Sequence, residues 1–399
     1  MSRGRTTMGE AAHTRWWRTA LLASACLVLA ACGGSAPKAQ DMAPVGTSEA
    51  VKISPQPGTV GVALNAPITV TSARGTLEHV DVTDKNGAYL AGAFNAERTT
   101  WTATDLLRPN TDYSVRAIAD DHGDPVTNLS TFHTKDLTEA QSLIAEQVTP
   151  ADGDKVGVAY PMIVQFNHQV HNRKAITDAL AVETFPHVDG AWYWIDPATV
   201  DYRPQGYWPA GTVVTLHANL RGIDAGNGLW GAADRTSTFT VGRQQEIDVD
   251  VKADRMTVVR DGKQVASFPI SSGKPGWETR NGTKVIMEKV TDKTWTNQAI
   301  DAPEHYVKHS QWALRMTNSG EFIHDAPWNA AHFGEDNASH GCVGLSTDNM
   351  SWLFDHIMVG DPVVVTGSPV PFVELDNRIQ DWNVPWDRWL GNNLDLSDH

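Results

Sequence analysis

Ser339-His340-Gly341-Cys342-Val343-Gly344-Leu345-Ser346 contains the only cysteine beyond residue 32 of a 399-residue chain. A lone thiol in an exported chain is exposed to oxidation, so it is either buried and inert or kept for chemistry. The local sequence favours chemistry. His340 stands two residues before Cys342, and Gly341 lets the backbone turn tightly enough to aim main-chain N–H groups at one point. The backbone of Gly341 and Cys342 is therefore a candidate oxyanion site beside a nucleophile.

Upstream, His324 and Ser339 are separated by 14 residues rich in Gly, Asn and Asp, the kind of loop that lets two strands converge. Cysteine–histidine catalysis needs a thiolate, supplied by an imidazole that takes the proton and stabilises the resulting ion pair. His324 and His340 both qualify. Spacing alone leaves three readings open: catalysis, a buried structural pair, and metal binding. A metal would draw on His305, His309, His324, His332, His340 and Cys342, but no compact pair of pairs and no His-Glu-x-x-His run is present. Ser271-Ser272-Gly273-Lys274 matches Ser-x-x-Lys, a signature of serine acyl transfer that works on a helix; Gly273 and Pro275 make this one a loop. There is no phosphate loop and no dinucleotide fingerprint, so no nucleotide cofactor is indicated.

The length predicts two to four domains. Asp and Glu number 47 against 32 Lys and Arg, a formal charge of −15, and no basic stripe offsets it, so nucleic acid is not an expected partner. Arg3, Arg5, Arg15 and Arg18 precede an apolar run over 19–31 that ends at Leu29-Ala30-Ala31-Cys32. That run is too short for a permanent bilayer span and reads as an export signal. The ending resembles a bacterial lipobox, which implies cleavage before Cys32 and lipidation of its thiol. With Cys26 inside the run and Cys32 acylated, Cys342 is left alone and no internal disulfide can form. Residues 33–48, rich in Gly, Ser, Pro and Ala, read as a flexible tether.

Val60-Gly61-Val62-Ala63 recurs as Val156-Gly157-Val158-Ala159. Each copy continues into short alternating apolar runs, an internal tryptophan (Trp101; Trp192 and Trp194) and a closing Thr-Phe strand at Phe132 or Phe239. This pattern predicts two immunoglobulin-like β-sandwiches, over 49–136 and 137–244. A third, β-rich domain is expected over 245–367, opening with strands at 247–251, 256–259 and 264–270. A helix is expected at about 347–358, capped near Ser346, with a returning strand at 362–365. In the extension, 368–399, Trp382, Trp386 and Trp389 are expected to pack on the third domain. Eight of the 15 tryptophans lie between Trp277 and Trp389 and are read mainly as core.

With His324, Ser339-His340-Gly341-Cys342 and the lipobox assembled, the chain resembles the L,D-transpeptidases, whose YkuD-type catalytic fold cross-links peptidoglycan. Ala326-Pro327-Trp328, Asn281-Gly282-Thr283, Met287, Tyr306 and 381–386 resemble in particular the mycobacterial type with two immunoglobulin-like domains. The resemblance implies that Cys342 is the acylated nucleophile, His324 the proton acceptor and His340 a residue shaping the oxyanion site. It places Tyr306 and Met287 in a lid over about 287–320, and adds Ser339, Trp328 and Gly344 as substrate contacts. The implied activity is 3→3 cross-linking of peptidoglycan stem peptides through a thioester, with release of D-alanine and without a metal or organic cofactor. Carbapenem β-lactams are the implied inhibitors, and the lipid anchor would hold the protein on the outer face of the plasma membrane, reaching into the wall. An L,D-carboxypeptidase on the same fold, or a wall-binding scaffold without catalysis, are the alternatives. Three departures stand out: Gly344 where Asn or Arg is usual, Asp325 where Ser is common, and Arg280 where Pro is expected.

Overall fold

A computed structural model describes residues 49–371 and 379–391. The expected signal with Cys26 and Cys32, and the tether over 33–48, lie outside the described residues. Among those residues no helix is long and apolar enough to cross a membrane.

The first sandwich pairs two four-stranded sheets, one ordered Val51–Ser54, Thr69–Ser72, Thr100–Ala103, Gly92–Phe94 and the other Thr59–Val62, Asp124–Thr134, Asp112–Asp121, Thr76–Asp84. Strict alternation along Asp112–Asp121 sends Tyr113, Val115, Ala117 and Ala119 inward, where they meet Trp101, Leu77 and Phe132. The second sandwich faces a sheet of Ala145–Thr149, Met162–Phe166, Thr199–Pro204 and Gly190–Asp196 against one of Lys155–Val156, Arg235–Val241, Val213–Ala218 and Leu180–Phe185. The two copies of the repeat occupy the same topological place. Thr59–Val62 runs parallel to Asp124–Thr134, and Lys155–Val156 runs parallel to Arg235–Val241.

The copies differ in what they touch. A Cβ on Gly61 would meet nothing within 4 Å, whereas one on Gly157 would lie 2.3 Å from the Asp361 nitrogen. Glycine is required there because the second sandwich bonds backbone to backbone with the third domain: Gly157 N–H donates to Val359 O and Ala159 N–H to Gly360 O.

The third domain has a five-stranded sheet ordered Lys263–Pro269, Arg255–Arg260, Gln245–Asp250, Pro362–Thr366, Gly282–Val285, and a four-stranded sheet ordered Glu288–Thr296, Val307–Arg315, Phe322–Asp325, Val343–Leu345. Ile247, Val249, Val258, Leu314, Ile323, Val343 and Leu345 fill the space between them. The expected helix runs over Thr347–His356, its first turn capped by the Ser346 side chain accepting from Asn349 N–H, and buries Met350 and Leu353.

The C-terminal tryptophans pack elsewhere than expected. Trp382 Nε1 donates to Ala159 O and Trp389 Nε1 to Ala191 O, both on the second sandwich, while Asn383 and Gln380 bond to Thr283 and Met316 of the third domain. The cause is Arg203. Its buried guanidinium lies 4.9, 5.3 and 4.2 Å from the rings of Trp382, Trp386 and Trp389 and donates to Val384 O. Asp381 is fully buried nearby, and burial pushes its carboxyl up to about 7 while Arg203 pulls the other way.

Removing that cation leaves Asp381 without its opposing charge. Arg203→Met should cost about 3–5 kcal/mol at about pH 8, and less at about pH 5, where Asp381 takes up a proton. Denaturant unfolding of the full chain at both pH values checks this; an equal loss at both would show that Asp381 does not depend on Arg203.

Candidate active site

Cys342 immediately precedes strand Val343–Leu345, which runs parallel to Phe322–Asp325 with His324 opposite Gly344. Thiol and imidazole therefore leave neighbouring strands. Strand alternation turns Ile323 into the core and sends Phe322 and His324 to the opposite face, where they line a cavity of about 500 Å³. The same cavity is lined by Cys342, His340, Tyr306, Ser339, Trp328 and Gly344.

His324 is buried and tightly oriented. Nδ1 lies 2.8 Å from Asp325 O and 3.1 Å from Ser310 Oγ. Ser310 Oγ donates to the same carbonyl at 2.6 Å and accepts from Trp295 Nε1 at 2.8 Å. With Ser310 committed in this way, the proton belongs on Nδ1 and points at Asp325 O, leaving Nε2 as the open lone pair. Trp295 and Trp328 flank the ring at 4.6 and 5.8 Å between centroids. Burial lowers the His324 pKa, with the Asp325 carbonyl and charge opposing. The Asp325 carboxylate does not face the ring. It is buried and accepts from Trp312 N–H at 2.9 Å.

Cys342 is half-buried, and its thiol rests 3.6 Å from Gly320 O as a donor. Burial pushes the thiol up to about 12; Glu321 adds to the rise, while a backbone contact at Phe322 and the charges of Lys284 and Lys293 oppose it. Desolvation works against the expected thiolate–imidazolium pair from both sides, lifting the thiol and depressing the imidazole. Behind the thiol, the buried Lys284 and Arg280 both pair with Glu321, at 3.0 and 2.8 Å, and Arg280 N–H also donates to Glu321 Oε1. A proline at 280 would lack that donor.

Gly341 adopts φ +111°, a left-handed backbone that glycine permits. Its N–H already donates to Ser339 Oγ at 3.1 Å and Gly341 does not line the cavity, whereas Cys342 N–H has no partner among the described residues. Of the two expected oxyanion donors, only Cys342 N–H is open. Ser339 lines the cavity and also braces the loop, since its hydroxyl donates to Cys342 O at 2.6 Å.

Met287 is a correction. It packs against the core of the second sandwich and not in the cavity, because it lies at the base of the hairpin formed by Glu288–Thr296 and Val307–Arg315. The lid is correspondingly shorter than 287–320: Leu314 and Met316 are core, and the hairpin tip covers the cavity through Trp295, Ile300 and Tyr306. Tyr306 stacks on His340 at 5.4 Å. Glu304, on the same tip, bonds to both His340 Nε2 and Lys274 Nζ. Lys274 therefore serves the lid, and Ser271 is buried, its hydroxyl donating to Asp336 O. His309 and His332 face Asp292 and Asp336. At Gly344 a Cβ would come within 3.2 Å of Ala326 Cβ and 3.3 Å of Ser271 O, so the missing side chain is replaced by close packing.

Sequence reasoning missed Trp295, Ser310 and Glu304. Trp295 was legible only as one more tryptophan, and Ser310 and Glu304 carry no local signal.

Fold and cavity together define a β-rich domain whose cavity joins a thiol and an oriented imidazole, preceded by two immunoglobulin-like modules. A family model for the L,D-transpeptidase catalytic domain (YkuD) matches residues 244–365, and one for a bacterial Ig domain matches 59–224. L,D-transpeptidase 2 of Mycobacterium tuberculosis (strain CDC 1551 / Oshkosh) is 33% identical over 96% of this chain and 97% of its own length. L,D-transpeptidase 5 of the H37Rv strain is 36% identical over 91% and 81%. A solved structure of LD transpeptidase LdtMt1 in complex with imipenem has 31% identity, covers 57% of this chain and 99% of its own, and superposes with a TM-score of 0.49. The chain belongs to the L,D-transpeptidase family.

A neutral resting pair has a kinetic signature. With the thiol pKa far above neutrality, alkylation of Cys342 in the free protein should rise about tenfold per pH unit from about pH 7 to about pH 9. Iodoacetamide labelling read by mass measures this, and a plateau below pH 8 would reveal a preformed ion pair.

Proposed function

We propose that this chain forms 3→3 cross-links between peptidoglycan stem peptides through a thioester on Cys342. The observation that carries the reading is the orientation of His324: Nδ1 is fixed on Asp325 O, and Nε2 is left as a base in the cavity that holds the thiol.

In this reading the donor tetrapeptide brings the carbonyl of its third residue to Cys342. Sulfur attacks as its proton passes to His324 Nε2, so charge is created only as the reaction proceeds, and Cys342 N–H donates a hydrogen bond to the oxyanion. Collapse expels D-alanine, whose amine takes the proton from Nε2, and leaves the thioester. The side-chain amine of a second stem then attacks, giving up its proton to Nε2. The new amide forms and the thiol leaves protonated. Burial suits this sequence, because a neutral base and a neutral nucleophile need no solvation before reaction.

The family of the relatives and the soft thiol both support single acylation of Cys342 by a carbapenem. Leu29-Ala30-Ala31-Cys32 supports a lipid anchor at Cys32 on the outer face of the plasma membrane, which peptide mapping of the mature N-terminus tests.

Incubating the protein with a disaccharide-tetrapeptide and weighing the products decides among the activities. The expected product is a dimer that has lost one D-alanine, and none should form with Cys342→Ser. Tripeptide alone would identify a carboxypeptidase, and unchanged substrate with unacylated Cys342 a non-catalytic scaffold.

A further inference from the structure

One wall of the cavity carries three cations, Lys293, Lys308 and Arg315, and among the described residues no Asp or Glu lines it. This is unusual for a chain of formal charge −15. Nearby cations are answered by carboxylates: Lys274 by Glu304, and Lys284 and Arg280 by Glu321. Lys293 and Lys308 have no ion pair among the described residues, and Arg315 shares only Glu288, at 3.4 Å.

Strand register explains why they converge. Lys293 lies opposite Ser310, and Trp295 opposite Lys308, so these four side chains share the face of the hairpin that meets His324. Aromatic rings hold the cations in place. Lys293 Nζ is 5.5 Å from the centroids of both Trp295 and Phe322, Arg315 Cζ is 4.6 Å from Phe322, and Lys308 Nζ is 5.7 Å from Trp328. A ring attracts a cation without neutralising it, so the charge stays available to a ligand. Lys293 is also close enough to Cys342 for its charge to draw the thiol pKa down.

We propose that Lys293, supported by Lys308 and Arg315, binds a carboxylate of the donor stem and is a specificity-determining residue of this site. The proposal rests on the reading that the cavity takes a stem peptide. Two carboxylates lie within reach of the attacked carbonyl: the terminal one of the departing D-alanine and, where the third residue is a diamino diacid, its side-chain carboxylate. Either would meet the same ammonium group through a charge-assisted hydrogen bond.

Two measurements on the full chain test this. In the first, acylation is followed with the free tetrapeptide, its terminal carboxamide and its side-chain carboxamide. Lys293→Met should raise KM for the free tetrapeptide about tenfold or more with kcat little changed, and Lys293→Arg should restore it. The amide that costs the unmodified protein the same factor, and is then insensitive to Lys293→Met, identifies the carboxylate. If Lys293→Met acts equally on all three substrates, or on none, the proposal fails.

The second measurement needs no peptide. The ratio of Cys342 alkylation rates by iodoacetate and iodoacetamide should fall about tenfold in Lys293→Met and fall with added salt. An unchanged ratio overturns the carboxylate site. A changed ratio in a protein that acylates with no tetrapeptide would keep the anion site and discard the transpeptidase reading.

Discussion

The hydrogen bond from His324 Nδ1 to the Asp325 carbonyl is the contact on which the site depends. A buried imidazole has two nitrogens, and only the arrangement with its proton on Nδ1 leaves Nε2 free as a base in the cavity that the thiol also lines. A backbone carbonyl one residue away, itself held in the sheet, fixes that arrangement without adding a charge. Ser310 and Trp295 extend the network, so that Trp295 donates to Ser310 and Ser310 to the same carbonyl. The family's usual Ser after this histidine can be Asp here because the backbone of residue 325 does the work while its carboxylate turns to Trp312 N–H.

Burial then sets the protonation of the pair. Desolvation acts on both groups in the direction of the neutral form, raising the thiol and lowering the imidazole. The charged side chains nearby oppose one another, with Glu321 against Lys284 and Lys293, so burial prevails. A neutral thiol is also the less oxidisable form, which suits a lone cysteine.

Much of this was legible in the chain. The repeated Val-Gly-Val-Ala motif located both sandwiches because the first copy lies in, and the second begins at the end of, the strand parallel to its sandwich's last strand. The interval from His324 to Ser339 located the two converging strands, and Ser346 with the spacing of Met350 and Leu353 located the helix behind them. What was not legible depends on pairing across the lid hairpin. Trp295 and Lys293 reach the cavity, and Ser310 reaches His324, only through the register of Glu288–Thr296 with Val307–Arg315, while Glu304 reaches His340 from the loop between those strands, which no local pattern encodes. Met287 was misplaced for the same reason, and the tail because Arg203, far upstream, captures its tryptophans.

The most direct measurement is nitrogen NMR of the His324 ring in the resting full chain at about pH 7, assigned with His324→Gln as the reference. The expected spectrum is that of a neutral ring protonated on Nδ1, with Nε2 unprotonated. An imidazolium signal, or a neutral ring protonated on Nε2, would contradict the assignment of His324 as a preset base.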